Sequence, residues 1–193
     1  MNYSNTPCEQ KLKVSDIPSL KKIVPNFTHH EAGHCIIAKK LGFKTEGLTL
    51  LLEDTYGAHI GKAMIKLFEP CSTIDELIDY LNRRIIVLFS GVIAENIIDG
   101  KIDNAQAIES LQKNGVNDYA KASELIHILN NLTLVNPKNT QDNLWRESID
   151  LVEQNYNVIT DVAKSFADEI LETQTEYTFD EDTIQSIVNH YEI

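Results

Sequence analysis

The sequence predicts a mainly α-helical fold of the α+β class, with one small β-hairpin sheet followed by a helical bundle. Three observations predict it. Apolar residues recur at helical spacing over residues 74–98, 117–132 and 141–173. Two Thr-x-x-Glu pairs, Thr28/Glu31 and Thr73/Glu76, have the spacing of reciprocal helix N-terminal caps. Residues 48–52 and 60–67 read as strands, with turn residues at 54–57 between them.

The elements follow in order. Residues 1–13 read as a polar leader, and residues 15–24 as a short helix with Pro18 in its first turn, ended before Pro25. Residues 1–24 therefore stand apart from a domain spanning residues 25–193. The next helix runs from His29 to about Leu41. Thr28 caps its start, and Gly42 follows where a left-handed C-terminal cap belongs. After the hairpin, Thr73 and Glu76 open a long helix that reaches Ile98, with Gly100 beyond it. A polar connection leads to a helix that starts at Asn117 or Asp118 and ends near Leu132. Residues 141–173 form a long helical pattern, broken once. A last short helix follows Asp180, with Ile184, Ile187, Val188 and Tyr191 on one face.

Composition narrows the function classes. The chain has 193 residues, enough to bury a core without disulfides. Its net charge of −12 is the opposite of the cationic surplus that neutralises phosphates, so no nucleic-acid partner is expected. The longest apolar stretch, residues 85–89 with 92–94 after it, is too short and interrupted to span a bilayer, so no direct membrane insertion is expected. The N-terminus has no apolar signal core. Cys8, Cys35 and Cys71 form no C-x-x-C pair, which argues against a disulfide framework and fits a reducing, cytoplasmic setting.

The stretch that carries chemistry is His30-Glu31-Ala32-Gly33-His34, an H-E-x-x-H on a predicted helix. Two histidines four residues apart lie on one helical face, one turn apart, so their imidazoles can converge on one Zn2+ ion. Glu31 projects beside that face. It can reach a zinc-bound water without being a ligand and take its proton. A catalytic zinc needs a third protein ligand. The extended H-E-x-x-H-x-x-G-x-x-H pattern does not supply it, because Ile37 and Lys40 stand at the Gly and third His positions. Acidic candidates downstream include Glu53, Glu69, Glu95, Asp99, Asp103 and Asp118.

The motif and the residues downstream of it resemble the peptidase domain of the FtsH family of ATP-dependent zinc metalloproteases. After the H-E-x-x-H motif come an apolar helix and a hairpin. Leu88-Phe89-Ser90-Gly91-Val92-Ile93-Ala94-Glu95-Asn96-Ile97-Ile98 is similar to the family's L-x-G-G-R-x-A-E-E-I-I helix. Gly115-Val116-Asn117-Asp118 is similar to its G-A-S-N-D segment, and Tyr177-Thr178-Phe179-Asp180 to its E-T-L-D. The similarity covers roughly residues 25–190 in the family's order. It implies a zincin-like helix, Asp118 as the third zinc ligand, and self-association through peptidase-domain contacts. There are departures. Val92 stands where the family has Arg, one residue fewer separates Gly115 from Asn117, and the sequence carries neither the ATPase pattern nor a membrane span. Gly57-Ala58-His59-Ile60-Gly61-Lys62-Ala63 superficially resembles a phosphate-binding loop, but it is one residue short, ends in Ala and falls in the hairpin, so it reads as a turn.

Glu95, set among apolar residues, is expected to hold the second nitrogen of a zinc-bound histidine, with direct ligation as the alternative. His29, His59, His127 and His190 read as exposed, Cys35 as a buried thiol and Tyr119 as packing. The strand at residues 60–67 is a candidate edge to which an extended peptide could add. The expected function is a zinc-dependent metalloendopeptidase acting on peptides or unfolded proteins. The alternative is a catalytically silent relative serving as an interaction or regulatory subunit, and a weaker third is hydrolysis of a non-peptide amide.

Overall fold

The computed structural model describes residues 11–98 and 100–191. The expectations for residues 1–10, Cys8 among them, and for Asp99 lie outside the described residues. After a short turn at Val14–Asp16, helix α1 runs unbroken over Pro18–Lys40. The break expected before Pro25 does not occur. Proline inside a helix forgoes one backbone bond, yet packing carries the helix through it. Leu20 and Val24, before the proline, are buried in the same core as Ala32 and Ile36 after it. Thr28 is consequently not a cap. It is fully buried in mid-helix, and its hydroxyl donates back to the Pro25 carbonyl at 3.1 Å. Residues 18–24 are thus the first turns of the helix that carries the H-E-x-x-H motif. The helix stops at Leu41, and Gly42 takes the left-handed conformation expected of it, with φ +85°.

Strands β1 (Lys44–Leu52) and β2 (His59–Lys66) pair antiparallel, with Leu50 opposite Gly61. The turn between them is fastened by Asp54, whose Oδ1 accepts from the backbone N–H groups of Tyr56, Gly57 and Ala58 at 2.8–2.9 Å. Leu48, Leu50 and Leu52 are buried at period two, so this sheet face turns to the core.

Helix α2 (Ile74–Glu95) opens with the expected reciprocal cap between Thr73 and Glu76. It ends at Glu95 rather than Ile98. Ile97–Ile98 instead form β3, which turns at Gly100 (φ +77°) into β4, Lys101–Ile102. The polar connection contains helix α3 (Asn104–Leu111), capped by Asp103. Helix α4 covers Val116–Thr133. The long pattern at residues 141–173 is two helices, α5 (Pro137–Gln154) and α6 (Tyr156–Glu169), parted at Asn155. Strand β5 (Glu176–Asp180) pairs with the other side of β1, giving the order β2-β1-β5. Helix α7 (Glu181–Val188) is capped by Asp180, as expected from the sequence.

The protein is therefore mainly helical with one three-stranded antiparallel sheet and a two-stranded ribbon. Helix α1 is its centre and contacts α2, α6, β1 and β2. Its residues 31–38 are all buried, as a helix surrounded by other elements requires. The α1–α2 crossing is close because Gly33 sits at it. A Cβ there would fall 2.5 Å from the Ala94 Cβ and 2.7 Å from the Ser90 carbonyl oxygen. Outside this pair, Phe89 meets Trp145 edge to face at 5.3 Å, and the indole N–H donates to Asn104, tying α5 to α2 and α3. Among the described residues no helix is long and apolar enough to cross a membrane.

Candidate metal centre

His30 and His34 lie one turn apart on α1, and the protein fixes both rings from behind. His34 Nδ1 donates to the Val87 carbonyl at 2.6 Å, and His30 Nδ1 donates to Glu95 Oε2 at 3.0 Å. A carbonyl and a carboxylate can only accept, so the Nδ1 atoms carry the protons. Both Nε2 lone pairs then face the same point.

The third group there is Asp118. Its Oδ2 stands 3.1 Å from His34 Nε2 and 3.4 Å from His30 Nε2, and the two nitrogens are 3.0 Å apart. In a tetrahedral site with bonds of 2.0–2.1 Å, donor atoms are about 3.3 Å from one another. The three donors therefore fit one face of such a tetrahedron, which leaves the fourth vertex for water or substrate. Two imidazoles and one carboxylate suit zinc, and the second nitrogen of each imidazole is held as in known zinc sites.

Three lone pairs converging this closely repel one another unless a positive charge lies among them. The titration behaviour says the same. Burial works against a charged His30, but its bonds to Asp118 and Glu95 and the charge of Glu31 outweigh burial and raise its pKa to about 10. Burial likewise opposes the charge on Asp118, yet the two histidines hold it well below the usual carboxylate range. The pocket thus attracts a cation strongly, whether a proton or a metal ion.

Each donor has a structural cause. Asp118 lies in the first turn of α4, where the helix N-terminus favours a carboxylate. Gly115 lets that helix start against α2, because a Cβ there would fall 2.3 Å from Val92 Cγ2. On α2, Arg84, Leu88, Gly91 and Glu95 follow one another at helical spacing and form the floor of the site. Glu95 reaches His30 from behind, and its Oε1 is buried without a hydrogen-bond partner among the described residues. Gly91 leaves room for the His34 ring, since a Cβ would fall 2.3 Å from His34 Nε2.

Glu31 is buried beside the cluster, under strand β2. Gly61 on that strand makes space for it, because a Cβ there would meet Glu31 Oε1 at 2.4 Å. Two cavities, of about 210 and 340 Å³, flank the cluster, and Glu31, Gly61, Asp118 and Lys121 line both. The first continues past Ala63 and Ile65 to Leu67, and the second past Ile60 and His59. Together they make a cleft along β2, one of the two edge strands of the sheet.

No family model and no curated protein matches this chain. The chemistry of the site then rests on its own groups. Of the acidic candidates, Asp118 alone among the described residues joins His30 and His34 in a three-donor cluster. Glu69 pairs with Arg83, Asp103 caps α3 and Glu53 sits at the hairpin turn. His29 is half-buried rather than exposed, and its Nδ1 donates to Pro25 at 2.7 Å. His59 is exposed but stacks on Phe27, with ring centroids 3.5 Å apart. His127 and His190 are exposed, and Cys35 is fully buried with its thiol pKa pushed up to about 12.

Gly61 and Gly91 are the site residues that sequence reasoning missed, and they give a paired expectation. Gly91→Ala should displace the His34 ring and lower zinc occupancy. Gly61→Ala should displace Glu31 and lower turnover while zinc remains. Zinc content and peptide cleavage measured on both variants check this, and the same phenotype from both would contradict it.

Proposed function

We propose that this chain is a zinc-dependent metalloendopeptidase acting on peptides or unfolded protein segments, related to FtsH-type peptidase domains. The observation that carries the reading is the His30–His34–Asp118 triangle with Glu31 buried beside it at the edge of an open strand. His30, His34 and Asp118 would hold the zinc, which when bound lowers the pKa of a water and polarises a carbonyl.

The chain's own groups do the rest. The free edge of β2 offers backbone N–H and C=O groups to an extended peptide and sets its register along the cleft. Glu31 takes a proton from the attacking water. It returns that proton to the amide nitrogen as the C–N bond breaks, leaving an acid and an amine. Glu95 and the Val87 carbonyl keep the two imidazoles in the tautomer that ligation needs. A base kept beside the cluster supports catalysis over a silent role, since binding a metal without turnover does not require one. Free Cys35 and Cys71 agree with the proposed cytoplasmic setting.

Nothing in residues 57–62 cradles a phosphate, since they form the hairpin turn and part of β2. The isolated chain is therefore expected to cleave casein without ATP, to lose that activity to a zinc chelator, and to spare a stable folded control. A strict ATP requirement or indifference to the chelator would contradict the proposal. A zinc-loaded chain that cleaves nothing would favour the silent alternative.

A further inference from the structure

We infer that the cavity running from the metal cluster to Arg84 is a subsite for a carboxylate on the peptide, with Arg84 as the residue that selects it; this rests on the peptidase reading above. The chain carries a net charge of −12, yet this cavity is lined by three cations, Lys62, Arg84 and Lys121. The two acids in its lining, Glu31 and Asp118, belong to the metal centre. A divalent ion bound there would match those two charges, and the cations lining the cavity would then outnumber its free anions.

Arg84 differs from the basic residues around it. Lys121 is exposed and reaches Asp118 Oδ1 at 3.4 Å. The neighbouring Arg83 is committed to Glu69 and Asp79. Arg84 is half-buried and has no hydrogen-bond or ion-pair partner among the described residues. Burial lowers its pKa, and its electrostatic interactions with Tyr80 and Asp118 oppose that less strongly. A guanidinium partly withdrawn from water with five donors unspent is stabilised by a bidentate carboxylate, which its planar fork matches.

The position fits a peptide bound at the centre. Arg84 shares its face of α2 with Leu88 and with Gly91, which lies under His34. At 1.5 Å per residue, the Arg84 Cα stands about 10 Å along α2 from Gly91. Leu88 and Ile65 give that stretch apolar walls. An extended peptide on β2 advances about 3.3 Å per residue. The carboxylate that reaches Arg84 therefore comes either from an acidic side chain flanking the scissile bond or from the C-terminus a few residues away.

A series of otherwise identical peptides tests this. One carries Glu beside the scissile bond and a C-terminal amide, one carries Gln there with the amide, and one carries Gln with a free C-terminal carboxylate. For the wild type, kcat/KM for one carboxylate peptide should exceed that for the neutral peptide by roughly 10- to 100-fold, the scale of a charge-assisted bond. Whichever peptide is preferred identifies the source of the carboxylate. In Arg84→Gln the ratio should fall to about one, Arg84→Lys should keep part of it, and Arg84→Glu should reverse it in favour of the neutral peptide. Zinc content and near-ultraviolet dichroism verify that each variant is folded.

The same peptides are titrated by fluorescence anisotropy against zinc-loaded Glu31→Gln protein, with and without Arg84→Gln. Preferential binding that depends on Arg84, without cleavage by the wild type, would sustain the subsite and sink the peptidase reading. Cleavage with no carboxylate preference, a preference that survives Arg84→Gln, or no binding of any peptide would overturn the subsite.

Discussion

Glu31→Gln is expected to leave about one zinc per chain in place and to lower cleavage of unfolded substrates by at least a hundredfold, the scale of general acid–base catalysis. Gln keeps the length and packing of Glu under β2, so the variant should fold and bind metal as before. It cannot accept a proton, so the water is no longer activated. Zinc content and initial cleavage rates, measured on the same preparation, check both halves. Equal rates for wild type and variant would remove Glu31 from the mechanism.

Asp118→Asn is expected to weaken zinc binding more than a hundredfold, whereas Glu95→Gln should weaken it by roughly 10- to 100-fold, the usual scale for a group that orients a ligand. Asp118 Oδ2 stands among the convergent nitrogens and supplies the negative charge that two neutral imidazoles lack. Among the described residues Glu95 hydrogen-bonds the far nitrogen of His30, on the side away from Asp118. Competition titrations with a zinc indicator give both numbers, and a larger loss from Glu95→Gln would exchange the two roles. The sign of the pH effect comes from the same geometry. In the absence of zinc, Asp118, Glu95 and Glu31 favour an extra proton on His30 above the ordinary imidazole range. Zinc must displace that proton, so apparent affinity rises with pH and falls as the solution is acidified.

The parts of this site that are local in sequence are legible in it. The spacing of His30 and His34, the base between them and the buried residues after them all follow from one helical period. Asp118 is 84 residues from His34, and no local pattern links them, so only the order of motifs pointed to it. Thr73 and Glu76 make the expected cap because nothing precedes them but loop, whereas Thr28 has the same spacing inside a longer helix. There the burial of Leu20 and Val24 overrides the proline signal. Strand β5 is five residues long with a mixed burial pattern, and it becomes a strand by pairing with the open side of β1. Gly42 announces itself by its place after a helix. Gly61 and Gly91 do not, because what they accommodate, the Glu31 carboxylate and the His34 ring, arrives from another element. The cations around Arg84 are scattered over β2, α2 and α4, so their meeting in one cavity is a property of the fold alone.

The central claim is that His30, His34 and Asp118 form a zinc site. Elemental analysis of metal-replete, gel-filtered protein, with His34→Ala prepared in parallel, tests it most directly. About one zinc per wild-type chain and close to none in the variant is the predicted result. Wild-type protein that retains no more zinc than His34→Ala would contradict it.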